Sequence, residues 1–216
     1  MKAFALRTIA TVVFLGLSAA SALAGTITVN NGNFSTLPAS GLNDPNSLGA
    51  FSDGAGIPGW TTSGDSGQWD PNGTVLGVPA GSTYIAYSNG PTISQTVTPT
   101  VVTGAVYTLT VELGDRTDYP SLGSADLLID GVAYDATGTL DPGGWSTFTA
   151  TYTGLAADAG DQITIQLNSS GAQGDFADVT LSGPNSSAVT PEPSTFYLAG
   201  LGLLCACGYS LRKSIA

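Results

Sequence analysis

Val106-Tyr107-Thr108-Leu109-Thr110-Val111-Glu112-Leu113 alternates apolar and polar residues from Tyr107 onward. Tyr107, Leu109 and Val111 fall on one side of an extended chain, and Val106, Thr108 and Thr110 on the other. A period of two predicts a strand buried on one face. Further along, Ala125 to Ile129 runs into Asp130-Gly131 and then Val132 to Asp135. Two short apolar runs joined by Asp-Gly predict a tight hairpin, because both turn positions need φ above zero. The same kind of signal recurs at Thr26 to Asn30, Thr83 to Ser88, Ser146 to Thr153, Gln162 to Asn168 and Phe176 to Leu181. It is clear at Thr92 to Thr98, where Ile93, Gln95 and Val97 oppose Thr92, Ser94 and Thr96. About nine short strands separated by turn residues, with no 3.6-residue apolar period between them, predict an all-β protein. The architecture expected is an antiparallel, two-sheet, jelly-roll-like sandwich over residues 25–183.

The ends read differently. Residues 1–24 form a signal peptide: Lys2 and Arg7 precede a short apolar run from Ile9 to Leu17, and Ala22-Leu23-Ala24 is a small-x-small cleavage site before Gly25. Residues 184–193 are a Ser- and Pro-rich linker that ends in Pro191-Glu192-Pro193. Residues 194–216 carry an apolar stretch, Phe196 to Leu211, and the basic pair Arg212-Lys213. Those features predict an N-terminal signal helix and a C-terminal transmembrane helix. The basic end favours the cytoplasmic side, so the domain is expected outside the membrane.

Charge and composition narrow the chemistry. Between Gly25 and Thr190 one cation, Arg116, stands against fifteen carboxylates. Such a surface repels phosphate and excludes nucleic-acid binding; it suits solubility or divalent cations. The chain has no histidine, which removes Ser-His-Asp and Cys-His catalysis and His-ligated zinc. Both cysteines, Cys205 and Cys207, lie in the C-terminal apolar stretch, so the domain is held without disulfides. Glu112 is the sole glutamate of the domain, and no carboxylate pair is singled out for glycoside hydrolysis. A non-catalytic protein is the expectation.

Leu37 to Pro79 is rich in Gly, Pro, Asn and Asp and is expected to be mostly loop, with few strand candidates around Trp60 and Trp69. Loops that long usually carry function. Trp60 and Trp69 are candidate ligand-binding residues, as stacking platforms for a sugar ring, with core packing as the other reading. Trp145 opens a strand and reads as core. Arg116 and Tyr119 lie in Gly114-Asp115-Arg116-Thr117-Asp118-Tyr119. Arg116 either binds a ligand hydroxyl or acid in bidentate fashion, or pairs locally with Asp115 or Asp118.

Two resemblances add to this reading. Val189-Thr190-Pro191-Glu192-Pro193-Ser194-Thr195, the apolar span and the basic end resemble the PEP-CTERM sorting tail. That resemblance implies recognition by the membrane enzyme exosortase, with processing near Pro191-Glu192-Pro193. It also implies a place at the cell surface or in the exopolysaccharide matrix of a Gram-negative bacterium. The domain resembles bacterial jelly rolls of the galactose-binding-like and carbohydrate-binding-module type. The stretches that carry this are Asn31-Gly32-Asn33-Phe34, Ile57-Pro58-Gly59-Trp60, Ile93-Ser94-Gln95-Thr96-Val97, Gly104-Ala105-Val106-Tyr107-Thr108-Leu109, Leu128-Ile129-Asp130-Gly131 and Phe176-Ala177-Asp178-Val179-Thr180-Leu181. It implies a structural Ca²⁺ clamping the first and last strands, for which Asn33, Asp175 and Asp178 are the candidates. The pattern's usual acids are displaced here, with Ser35 after the first Phe and Ala177 after the last. The expected function is a surface or matrix protein in contact with exopolysaccharide. The alternative is a structural adhesion protein that self-associates through bridging Ca²⁺.

Overall fold

The computed structural model describes residues 24–119, 123–171 and 173–184. The signal helix, most of the linker, the Pro191-Glu192-Pro193 motif and the C-terminal helix lie outside the described residues. The described chain is all-β. Its strands are β1 (Ala24–Ile27), β2 (Asp44–Asn46), β3 (Gly49–Phe51), β4 (Thr61–Thr62), β5 (Ser66–Pro71), β6 (Ile85–Ser88), β7 (Ile93–Thr100), β8 (Val106–Gly114), β9 (Gly123–Ile129), β10 (Val132–Asp135), β11 (Trp145–Thr153), β12 (Gln162–Ser169) and β13 (Gly174–Pro184). They form two antiparallel sheets. The larger runs β11-β8-β13-β6-β5-β3-β2, with β1 paired to the far end of β13; the smaller runs β10-β9-β12-β7-β4.

The alternating stretches form the sandwich interior. On β8, Tyr107, Leu109, Val111 and Leu113 are fully buried, while Thr108, Thr110 and Glu112 are half-exposed. They meet Leu127 and Ile129 of β9, Ile163, Ile165 and Leu167 of β12, and Ile93 and Val97 of β7. Each such side chain contributes about 1.5–3 kcal/mol of burial. Asp130 and Gly131 have φ of 46° and 85°, as the predicted hairpin requires.

Three features depart from the sequence reading. β1 stops at Ile27, short of Asn30, because the buried Gln95 side chain takes over: its Nε2 donates to the Asn30 carbonyl and its Oε1 accepts from the Asn30 N–H. The 37–79 segment holds β2 to β5 where mostly loop was expected. These strands are only two to six residues long and are ordered by their partners, β4 by β7, β5 by β6, β3 by β5 and β2 by β3, so their own sequence shows little period. β13 carries a bulge between Ala177 and Thr180, with Asp178 at φ 46°. Phe176 and Val179 therefore both face the interior, while Ala177 and, two residues earlier, Asp175 face outward.

Candidate functional site

The outward face of the larger sheet is itself covered. Trp69 of β5, Ile85 and Tyr87 of β6 and Ala177 of β13 form a second apolar cluster with Val75 and Leu76, flanked by Leu48, Phe51 and Trp145. The β2–β3 hairpin lies beyond β5, and the chain closes over the sheet. The Trp145 indole N–H fastens that cover by donating to the Gly77 carbonyl at 2.7 Å. On the same face lies a cavity of about 230 Å³, walled by Leu48, Phe51, Trp69 and Tyr87 and by the polar side chains of Asn46, Asp53, Asp65, Asn89, Arg116 and Gln173.

Arg116 organises the polar wall. Its Nε and Nη2 donate to the two oxygens of Asp118 at 2.9 and 2.7 Å. The guanidinium carbon lies 5.0 Å from the Trp69 ring centroid and 5.2 Å from that of Tyr119. Nη1 donates to Gln173 Oε1 at 2.7 Å. A guanidinium only donates, so Gln173 must turn its carbonyl to Arg116 and its amide away. That amide, Nε2, donates to Asp175 Oδ1 at 2.7 Å.

Asp175 is 1% exposed. Burial pushes its carboxyl up to about 7, against the opposing pull of the Gln173 amide and the Arg116 charge. Asp118 moves the other way, held below the usual carboxylate range chiefly by its bonds to Arg116. Burial, then the negative charges of Asp53, Asp65 and Asp44, push the Tyr87 phenol well above its ordinary value. The Tyr87 hydroxyl donates to the Ser52 carbonyl at 2.8 Å, and Asn89 Nδ2 holds Asp65 Oδ2 at 2.9 Å.

The sequence candidates divide. Trp69 and Arg116 meet in the cavity wall, and Tyr119, 56% exposed, covers the guanidinium from outside. Arg116 makes the local ion pair, with Asp118. Trp60 belongs to the inter-sheet core, 5.5 Å from Phe34, with its N–H on the Asn31 carbonyl. Trp145 packs on the outer cluster. Asn33 Oδ1 accepts from Ser35, Asp178 from the Ser82 hydroxyl, and Asp175 from Gln173, so each calcium candidate has its own partner. Among the described residues no three His, Cys, Asp or Glu side chains gather as a metal site. Sequence reasoning missed Phe51, Asp53, Asp65, Tyr87 and Gln173; the long Trp-bearing segment was the signal that pointed to their neighbourhood.

Fold and cavity together define a β-sandwich with an aromatic-walled cavity and a buried acid, Asp175, joined to its wall through Gln173. The chain belongs to the family described as HpiC1-like: HpiC1 cyclase, whose model matches residues 25–182. A cyclase from Fischerella sp. TAU, solved in complex with 4-(1H-indol-3-yl)butan-2-one, shares the fold. It is 18% identical with a TM-score of 0.57, and the match covers 76% of this chain and all of that one. Two solved structures show looser likenesses. The CBM22-1–GH10 modules of a Clostridium thermocellum endo-1,4-β-D-xylanase with xylohexaose are 15% identical, with 62% of this chain and 28% of that one covered and a TM-score of 0.42. A CBM22-1 xylan-binding domain from Paenibacillus barcinonensis is 12% identical, with 60% and 88% covered and a TM-score of 0.40. No curated protein matches the chain. Membership of a cyclase family overturns the expectation of a non-catalytic protein. The absence of histidine excluded only the catalytic sets that need it.

Proposed function

We propose that the chain is an acid-catalysed cyclase acting on a small, largely apolar molecule in the cavity, with Asp175 as the proton donor. The observation that carries this is a carboxyl 1% exposed, pushed up to about 7 by burial, and hydrogen-bonded to Gln173, which lines the aromatic-walled cavity. A general acid works best when its pKa lies near the operating pH. In the proposed step, Asp175 delivers a proton to a carbon–carbon double bond, forming a C–H bond and a carbocation. An electron-rich carbon of the same molecule closes the ring on that cation, and loss of a proton to the Asp175 carboxylate restores the enzyme. Product and substrate have equal mass, and no co-reactant is consumed. The π faces of Phe51, Trp69 and Tyr87 favour the cationic intermediate. Gln173 stands between Asp175 and the chamber, so its amide swings aside as substrate enters.

Purified protein incubated with a panel of alkenyl indoles tests this, with mass spectrometry for isomers of unchanged mass. Asp175→Asn is expected to lose about 10²-fold or more in rate, the usual scale for a general acid, while still binding 4-(1H-indol-3-yl)butan-2-one. An Asp175→Asn variant with full activity overturns the assignment. Calcium supplies the rival reading of Asp175, because a carboxyl that ligates Ca²⁺ is ionised and donates no proton. A calcium-induced rise in melting temperature abolished by Asp175→Asn would move the residue to that role.

Export and exosortase sorting are also proposed. Their support is the sequence alone: the signal-like residues 1–24 and the Pro191-Glu192-Pro193 tail. The cyclase would then act at the cell surface or among exopolysaccharide. Cell fractionation with a Pro191→Ala/Glu192→Ala variant checks this, with surface delivery lost in the variant as the expected result.

A further inference from the structure

Resting on the small-molecule reading of the cavity, we infer its ligand class: a molecule bearing a positively charged nitrogen, such as an arylalkylammonium, with its charge between Asp53 and Asp65 and its body against Phe51, Trp69 and Tyr87. Two independent sets of observations support this. The first is the wall. Phe51 and Tyr87 meet edge to face, with centroids 6.2 Å apart and planes at 80°. Trp69 already holds a guanidinium at 5.0 Å, so an aromatic surface of this chamber acts as a cation acceptor within the protein itself. The second is charge. Asp53 and Asp65 face the space, while its one cation, Arg116, is held in both directions by Asp118 and Gln173 and stacked on Trp69. The residual field is negative. It is felt at Tyr87, where Asp53, Asp65 and Asp44 act with burial to disfavour ionisation of the phenol. A field that resists a second negative charge stabilises a positive one.

Other ligand classes fit less well. An anion meets two carboxylates here and fourteen more acids than bases between Gly25 and Thr190. A hard metal ion needs six or more oxygens, or four close ligands, and no three carboxylates converge among the described residues. A neutral apolar molecule would bring no positive charge to Asp53 and Asp65. At about 230 Å³ the cavity is smaller than typical drug-sized pockets and suits a ligand of one ring system and a short chain.

Calorimetric titration of the protein with three indoles of matched shape tests the inference: tryptamine, 3-ethylindole and indole-3-propionate, which are cationic, neutral and anionic at pH 7. Tryptamine is expected to bind about tenfold tighter than 3-ethylindole, and indole-3-propionate weakest. Asp53 and Asp65 are exposed, so Asp53→Asn/Asp65→Asn is expected to fold, and in it the three affinities should converge to within about twofold. Equal binding of all three by the unaltered protein overturns the inference alone. So does a tryptamine preference that survives the double substitution. A cavity that binds none of the three overturns it together with the small-molecule reading.

Discussion

Asp175 keeps almost none of its surface in water, and its carboxyl titrates near 7 because an ionised oxygen there would be poorly solvated. The folded value lies above that of the unfolded chain, so the native state binds this proton more readily. The stability tied to it is complete below about pH 4 and is lost as pH rises through 7, on the order of 4 kcal/mol in all. Asp175→Asn cannot titrate. The difference in urea-unfolding free energy, wild type minus variant, should therefore fall steadily between about pH 4 and pH 8; a flat difference would show that the carboxyl is solvated. The Arg116–Asp118 pair works in the opposite sense: its contribution is present above the usual carboxylate range and is lost on acidification. Arg116→Leu leaves Asp118 without its partner and removes the donor that orients Gln173. It should lower stability by about 1 kcal/mol in denaturant unfolding, the upper scale for a pair whose carboxylate stays in water.

At the scale of elements, the cavity depends on how closely β3 and the chain after it lie on β5. Gly67 permits that contact, since a Cβ there would stand 1.8 Å from the Ser52 carbonyl oxygen. Ser52 in turn is tied to Gln68 by two hydrogen bonds, at 2.8 and 3.0 Å. Gly67→Ala must push backbone from backbone. We expect about 1–3 kcal/mol of destabilisation in thermal or urea unfolding, with weaker binding of any cavity ligand. The same region explains what a reading of sequence can reach. β8, the β9–β10 hairpin and β12 were legible because one buried face forces strict alternation. β2 to β5 were not, because strands this short are specified by their partners and by glycines that admit close approach. Trp69 and Arg116 could be nominated singly as an aromatic and a lone cation. Their 5.0 Å stacking, and the link through Gln173 to Asp175, join side chains from segments far apart in the chain. Asp175 and Asp178 looked like neighbours on one strand; the bulge at Ala177–Thr180 and their separate partners place them in different surroundings.

For the whole molecule, charge is the dominant variable. Between Gly25 and Thr190 fifteen carboxylates against one arginine repel one another across a sandwich that no disulfide holds within the described residues, and burial lightens that load by pushing the carboxyls of Asp175 and Asp126 up. Compaction concentrates this charge, so the folded state suffers more from it than the extended chain. Monovalent salt should relieve the repulsion. Raising NaCl from about 0.01 M to about 0.5 M shortens the screening length from about 30 Å to below 8 Å and should raise the melting temperature by about 2–4 °C, equivalent to about 1 kcal/mol in a domain this size. KCl at equal ionic strength should act alike, because screening does not depend on the ion's identity. Calcium distinguishes the two roles open to the acidic surface. A specific site stabilises by mass action and saturates at low concentration, whereas screening by CaCl₂ follows ionic strength alone. A calcium curve that overlays NaCl at matched ionic strength would mean that the acids act as a diffuse field, one that draws cationic molecules toward the cavity. A steep rise well below millimolar calcium would mean that some of these carboxylates share an ion, and the field left to attract a ligand would be weaker by that much.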